Sequence, residues 1–209
     1  MEIIKNLNWR YATKKFDRTR KINGDELDQI MKAVSLSASS FGLQAYKILV
    51  VENPEIRKKL RAVSYDQPQI TDSSHLFVFC NYTAVNVPTI DEFIQLNANI
   101  KNLKVEDLSQ YGDFLKGSMA QRSSEQINIW TSKQTYIALS TLLAATSELK
   151  IDACPMEGFD TEQYNNILGL KEKGLNASVI AAVGYRSPDD VTQLAPKVRK
   201  PIELLFEKV

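Results

Sequence analysis

The sequence predicts an α+β fold in which one central sheet is flanked by helices. Two short and almost entirely apolar runs, residues 76–80 and 178–185, are typical of buried strands. Longer segments repeat their apolar residues at the spacing of one helix face, which indicates amphipathic helices. A few strands among more numerous helices favour the α+β class over an all-helical or all-strand fold.

The composition is that of one globular domain. The chain has 209 residues, 44% of them hydrophobic, and carries 26 Lys and Arg against 25 Asp and Glu. A formal net charge of +1 gives no general attraction to nucleic acid or to a membrane surface. The sequence turns polar directly after Met1, and no apolar run reaches the ~18–20 residues of a membrane span. We expect one domain over residues 1–209, in the cytoplasm, with no nucleic-acid or membrane partner.

Capping residues and periodicity define the elements of the first half. Residues 2–9 predict a short opening helix. Asn23 is a favourable N-cap, and the apolar residues that follow it recur on one helix face. Residues 46–52 predict a strand, and Pro54 suits the first turn of a helix that extends to Val63.

The second half is predicted to be mainly helical before its last strand. Residues 87–126 are polar and helical in character, and Gly112 and Gly117 are expected to break that region. The segment from Ile127 to Leu149 is the longest helical candidate. Because it is apolar on most sides, we expect it to be buried.

Few residues could support catalysis on their own. His75 is the only histidine and precedes an apolar strand, which favours a structural role. Cys80 and Cys154 lie in apolar segments and are expected to be buried and reduced. No Cys, His or Asp spacing predicts a metal site, and neither the Walker A nor the dinucleotide fingerprint is present. An enzyme with this sequence would rely on an organic cofactor.

Two basic clusters stand near the ends of this almost neutral chain. The first is RYATKKFD at residues 10–17, and the second is PKVRKP at residues 196–201. Arg and Lys supply fixed positive donors that suit a phosphate, although either cluster alone could be a solvated charge run. Between them lies PMEGFD at residues 155–160, where a glycine allows close backbone approach to a ligand.

In order and spacing these three segments resemble the nitroreductase family of FMN-dependent NAD(P)H oxidoreductases. The resemblance implies a mostly antiparallel central sheet and an intertwined homodimer with the flavin at the subunit interface. It also implies that hydride passes from NAD(P)H through FMN to a nitroaromatic, a quinone or a related acceptor by a ping-pong mechanism. Two alternatives stay open. One is a flavoenzyme of the same fold with a dedicated metabolite substrate, and the other is a non-enzymatic domain that binds a phosphate-bearing ligand.

The resemblance implies roles for the first cluster. Arg10, Tyr11 and Ala12 fall in the segment that contacts the FMN phosphate and ribityl chain. Ala12 stands where the family often has serine, so only a backbone contact remains there. Lys14 is implied to lie near N1 and O2 of the ring. We therefore expect it to be the catalytic residue that stabilises the reduced flavin.

The other two segments complete the implied cofactor site. Glu157 and Gly158 correspond to the dipeptide that presents backbone amides to N5 and O4 of the flavin. Lys197 and Arg199 correspond to the remaining phosphate contacts.

Two further segments resemble the family less closely. Ser39 and Ser40 match a loop that lies over the flavin of the partner subunit, although neighbouring residues of that loop differ from the pattern. Phe41, in the same loop, is expected to bind substrate or else to pack locally. The uracil-like edge of the flavin is expected to bind an amide, which Gln67 or Gln69 could supply; Gln69 is favoured.

Overall fold

Four strands form the central sheet of the computed structural model, which describes residues 1–209. They are β1 (Tyr46–Val51), β2 (His75–Tyr82), β3 (Asp152–Met156) and β4 (Leu175–Gly184). Their order across the sheet is β1-β2-β4-β3, and every neighbouring pair is antiparallel. The predicted α+β class with a mostly antiparallel sheet is therefore confirmed.

Nine α-helices accompany the sheet. They are α1 (Glu2–Trp9), α2 (Gly24–Ser35), α3 (Pro54–Ala62), α4 (Gln69–Asp72), α5 (Val87–Lys101), α6 (Ser109–Ala120), α7 (Ser124–Glu148), α8 (Thr161–Leu168) and α9 (Ile202–Leu205). Helix α2 begins with the expected cap, because the Asn23 side chain accepts from the Glu26 N–H at 2.8 Å. None of the helices combines the length and the apolar character that crossing a bilayer requires.

Side chains that alternate along β2 divide the core into two layers. Leu76, Val78 and Cys80 face one side, where they pack with residues of α3 and α8. Phe77 and Phe79 face the other side, where they pack with residues of α2 and α7. Because both faces of β2 are covered, the strand is a continuous apolar run in the sequence rather than an alternating one.

The glycines of α6 do not break the helix, so that prediction was wrong. Gly112 and Gly117 both lie within α6. Gly112 is buried where α6 meets α5, and a Cβ on it would lie 3.4 Å from Ile94 Cγ1. Its small size therefore serves close helix packing rather than helix termination.

Strand β3 was not predicted, and its place in the sheet explains why. β3 is the last strand in the sheet order, and β4 is the only strand with which it pairs. Because an edge strand does not need every backbone N–H group for pairing, it tolerates Pro155, which lacks one. Its other side meets the N-terminal segment through a parallel bridge between Ala12 and Ala153. This bridge brings the first basic cluster alongside the strand that leads to Glu157.

Packing at the end of β4 yields a stability test. A Cβ on Gly184 would lie 2.8 Å from the backbone nitrogen of Ser74 and 3.1 Å from Cδ1 of Phe16. Overpacking of this kind costs about 1–3 kcal/mol, so Gly184→Ala should lower the free energy of unfolding in urea by that amount. Gly117→Ala is the matched control. It has no atom within 4 Å of its new Cβ and should be neutral or gain about 0.5–1 kcal/mol. Equal stabilities of the two variants would contradict this packing.

Candidate functional site

The first basic cluster begins beside β3. Arg10 has extended backbone angles and Ala12 forms the bridge to Ala153, whereas the chain bends at Lys14 and Lys15. Burial raises the pKa of the Cys154 thiol, and the positive charges of Lys14 and Arg10 oppose that rise. Both cations therefore lie close enough to β3 to act on the thiol of Cys154.

A buried carboxylate fixes the backbone of this cluster. Asp190 is 1% exposed, and its Oδ2 accepts from the Tyr11 hydroxyl at 2.9 Å and from the Lys14 and Lys15 N–H groups at 2.8 and 3.1 Å. Its Oδ1 accepts from the Thr192 N–H at 3.0 Å. Burial alone would raise the pKa of Asp190, but these hydrogen bonds outweigh burial and hold it below its usual value.

The second basic cluster folds onto the first. The Lys197 ammonium donates to the carbonyl of Arg10 at 2.5 Å and to that of Asn8 at 3.2 Å. Burial and the nearby charge of Arg199 lower the pKa of Arg10. The pKa of Lys197 is also lowered, first by burial and then by the charges of Arg10 and Arg199. The two ends of the chain thus place three positive charges within range of one another.

This group of cations has the properties of an anion site. Arg10, Lys197 and Arg199 form no ion pair with any carboxylate of the chain. The Nε atom of Arg10 is buried and has no hydrogen-bond partner. Buried donors that lack a partner are costly, and a phosphate would supply both acceptors and the opposite charge. The residues present therefore fit a phosphate-bearing cofactor.

The Glu157–Gly158 dipeptide follows directly on β3. No acceptor in the chain binds the backbone N–H group of either residue. The Glu157 side chain accepts from the Tyr136 hydroxyl at 2.5 Å. Burial and this hydrogen bond raise the pKa of Tyr136 to about 12, so the phenol keeps its proton at neutral pH. The dipeptide thus has two free backbone donors, and the flavin contacts that the resemblance implies for them stay a prediction.

The two glutamines left open by the sequence differ in their contacts. The Gln67 amide donates to the carbonyls of Gly158 and Ser64, at 2.8 and 3.0 Å. It therefore holds the loop after β3. Gln69 is 6% exposed, and its Oε1 atom has no partner in the chain. Neither amide oxygen accepts a hydrogen bond within the chain, so these contacts leave both glutamines as candidates for a ligand.

The Ser39–Phe41 loop lies apart from the first basic cluster and contacts other segments of the chain. The Ser40 N–H donates to Gln134 Oε1 at 2.8 Å, and Ser39 Oγ accepts from the Gln44 N–H at 3.0 Å. Phe41 adopts φ 60°, and its carbonyl accepts from the Tyr111 hydroxyl at 3.3 Å. No hydrogen bond or ring contact joins this loop to residues 10–15.

The structure thus brings together most of the predicted site residues but not all of them. Those that gather around β3 are Arg10, Tyr11, Ala12, Lys14, Glu157, Gly158, Lys197 and Arg199, whereas Gln67 rather than Gln69 contacts the loop after β3. Sequence reasoning missed Asp190 and Tyr136. The only sequence signal for Asp190 was its position directly before a short helix, Val191–Leu194, which it caps. An N-cap signal predicts a role within that helix and not a contact with the first basic cluster.

Comparison with known proteins identifies relatives along nearly the whole chain. A model described as Nitroreductase family matches residues 7–185. YfkO of Bacillus subtilis (strain 168), named for an inferred NAD(P)H nitroreductase activity, is 34% identical over 213 residues, or 97% of this chain and 95% of YfkO. The oxygen-insensitive NAD(P)H nitroreductase of Salmonella typhimurium is 27% identical over 217 residues, which cover all of both chains.

Solved structures share the fold at low sequence identity. The ydfN protein of Bacillus subtilis, described as an inferred nitroreductase, has a TM-score of 0.88 at 18% identity and covers 100% of this chain and 99% of its own. A similar protein from Exiguobacterium sibiricum, solved in complex with FMN, has a TM-score of 0.82 at 20% identity, with 100% and 96% covered. The expected fold is therefore confirmed on independent structures.

The Asp190 contacts predict a pH-dependent contribution to stability. Asp190→Asn should lower the free energy of unfolding by about 1–3 kcal/mol near neutral pH, because an amide nitrogen cannot accept these bonds. Since the folded pKa lies below the usual carboxyl value, this stabilisation is complete above about pH 4 and is lost as pH falls through the folded pKa. Urea titrations across pH measure it, with exposed Asp189→Asn as the control. A difference that persists unchanged in strong acid would contradict the assignment.

Proposed function

Because this chain belongs to the nitroreductase family, we propose that it is an FMN-dependent NAD(P)H oxidoreductase. The observation that carries this proposal is the unpaired group of Arg10, Lys197 and Arg199. The FMN phosphate is a dianion, and charge-assisted hydrogen bonds from these side chains would hold it. The thiols of Cys80 and Cys154 are free and buried, which suits a reducing compartment such as the cytoplasm.

The remaining contacts of the cofactor involve residues on and after β3. Glu157 and Gly158 would donate their free backbone N–H groups to the polar edge of the ring, and Gln69 would offer its unpaired amide oxygen. Ala12 has no polar side chain and would contribute backbone alone. FMN bound by these residues would supply the chemistry of hydride transfer from a reduced nicotinamide to an acceptor.

Lys14 is the residue that we assign to catalysis. Its backbone N–H donates to Asp190 Oδ2 at 2.8 Å. This hydrogen bond fixes the backbone position from which the exposed Lys14 side chain extends. A positive charge held near N1 and O2 of the ring favours the state of the ring that carries negative charge. No other residue is needed as an obligatory base.

The loop that carries Phe41 supplies an aromatic surface for the acceptor. The Phe41 ring lies 6.1 Å from that of Phe114 and 6.2 Å from that of Trp130, between ring centroids. Phe114 is 58% exposed, so part of this aromatic surface faces solvent. Flat aromatic faces suit planar acceptors such as nitroaromatics and quinones. Both substrates would use the same face in turn, as a ping-pong mechanism requires.

The division of the site into two regions supports a homodimer with the flavin at the interface. Ser39 and Ser40 form no hydrogen bond with residues 10–15 of their own chain, so a second copy would supply them to the site. Helix α7 buries only one face, and leaves Ile129 and Ile137 exposed at 47% and 41%. The segment from Ile202 to Phe206 is also apolar and exposed. Exposed apolar surface of this extent is typical of an association surface.

The proposed reaction is tested by the colour of the bound flavin. Anaerobic addition of NADH or NADPH alone should bleach the flavin absorbance, and a later addition of a nitroaromatic or a quinone should restore it. Steady-state rates at several acceptor concentrations should give parallel double-reciprocal lines. The measurement is stopped-flow absorbance, and a flavin that stays oxidised under excess of both nicotinamides would reject the proposal.

Two neighbouring lysines provide a matched test of the catalytic assignment. Lys14 and Lys15 are both exposed, and both donate a backbone N–H to Asp190. Lys14→Gln should slow flavin reduction by about tenfold, the effect of ~1.4 kcal/mol, and change FMN affinity less. Lys15→Gln should leave both nearly unchanged. Equal rates of flavin reduction in the two variants would reject the role of Lys14.

The dimer is tested by mass in solution. We expect the FMN-loaded protein to sediment as a dimer with an interface in the large class, above ~2,000 Å². Ile137→Asp, on the exposed face of α7, should weaken the dimer and FMN binding together. Lys32→Asp, on the exposed surface of α2, should change neither. A monomer that retains FMN tightly would contradict the shared site.

A further inference from the structure

A polar cavity of about 500 Å³ lies where α3, α4 and the start of β2 meet. Nine residues line it, and only one of them is hydrophobic. None of the nine takes part in the cofactor site described above. Its most informative members are two cations, Lys21 and Arg57, and the histidine of the chain, His75.

Arg57 is a buried guanidinium without a carboxylate partner. It is 4% exposed, and Nε donates to the Ile70 carbonyl at 2.7 Å. Nη1 donates to the Ser74 carbonyl at 2.9 Å, and Nη2 donates to the carbonyl and the Oγ of Ser73 at 2.8 and 2.6 Å, so that one N–H on Nη1 is without a partner in the chain. These bonds satisfy most of its donors, yet carbonyl dipoles do not neutralise its charge. A buried charge without an opposite charge is costly.

Lys21 adds a second positive charge to the same cavity. Its ammonium makes one long hydrogen bond, at 3.4 Å, to the Ser73 carbonyl. Burial and the charge of Arg57 lower the pKa of Lys21, so the two cations repel each other. Such repulsion would be relieved by an anion between them.

The nearby carboxylates are engaged with other partners. Asp72 lies in range of both cations, but its Oδ2 is paired with Arg18 Nη2 at 2.8 Å. Glu52 Oε1 lies 2.9 Å from Nε2 of His75. The protein therefore offsets the positive charge of the cavity only in part.

We propose that this cavity binds a phosphate group, with Lys21 and Arg57 as its positive donors. Of the three cations that line the cavity, Lys58 is paired with Glu55, whereas Lys21 and Arg57 have no carboxylate partner and suit the oxygens of a phosphate. The site is separate from the cofactor anchor. His75, Val183, Ala153 and Ala12 are successive neighbours across the sheet, and three steps of ~4.8 Å place His75 about 14 Å from Ala12.

Two sources could supply this phosphate, and we assign one of them. A reduced nicotinamide dinucleotide carries phosphates along the part of the molecule that extends away from the nicotinamide ring. With that ring at the cofactor site, its phosphorylated adenosine portion is the ligand that we assign to the cavity. This source depends on the proposed function, whereas the phosphate chemistry of the cavity does not. Free inorganic phosphate is the other source.

The test measures phosphate binding in FMN-saturated protein, so that the cofactor anchor is already occupied. Titration calorimetry would use adenosine 2′,5′-bisphosphate and, separately, inorganic phosphate, at ionic strength matched with sodium chloride. Lys21→Ala removes a cation from the cavity without touching Arg57, whose loss could unfold the loop. Lys32→Ala, an exposed lysine outside the cavity, is the control. Lys21→Arg should restore binding.

Lys21→Ala should weaken binding of the adenosine bisphosphate at least tenfold, as loss of one charge-assisted bond of about 1.5–3 kcal/mol implies. Lys32→Ala should bind as the wild type does. Lys21-dependent binding of inorganic phosphate as tight as that of the bisphosphate would support a free-anion site instead of a dinucleotide site. Equal binding of both ligands by the Lys21→Ala and Lys32→Ala variants would overturn the proposal. Flavin that no nicotinamide reduces would reject the proposed function alone, since this binding is measured without turnover.

Discussion

Asp190 accepts hydrogen bonds from the Tyr11 hydroxyl and from the backbone of Lys14 and Lys15 while it is almost completely buried. The arrangement of the site depends on this interaction, because it holds the C-terminal part of the chain against the N-terminal part. Lys197 then reaches the carbonyl of Arg10, and the two basic clusters become one surface. Without this junction, the two clusters would be separate solvated charges with no reason to share a ligand.

Positive charges that share one place repel one another, and burial of Arg10 adds to that cost. The protein meets this cost with interactions elsewhere, which include the bridge between Ala12 and Ala153 and the two-sided core around β2. Sites that are assembled in advance of binding concentrate such unfavourable contacts, and the ligand relieves them. A phosphate bound at Arg10 would therefore supply the hydrogen-bond acceptors and the negative charge that these cations lack within the chain.

Much of the fold could be predicted, because the relevant signals are local. Helix α2 follows from the cap at Asn23 and its periodicity, and β2 from its apolar run. Strand β3 escaped prediction because Pro155 is tolerated only through its edge position, which is a property of the sheet. Asp190 was missed for a similar reason, since its partners in the first basic cluster lie more than 170 residues away in sequence. Motif resemblance supplied the cofactor residues, including the preference for Gln69 over Gln67.

The central claim is that the two ends of the chain form an anchor for the phosphate of FMN. Fluorescence titration of wild type and Arg10→Ala with FMN and with riboflavin, which lacks the phosphate, tests this claim most directly. The account predicts that Arg10→Ala weakens FMN binding by about ten- to a hundredfold, as loss of ~1.5–3 kcal/mol implies, and leaves riboflavin binding nearly unchanged. An equal loss for both flavins, or no loss for either, would contradict it.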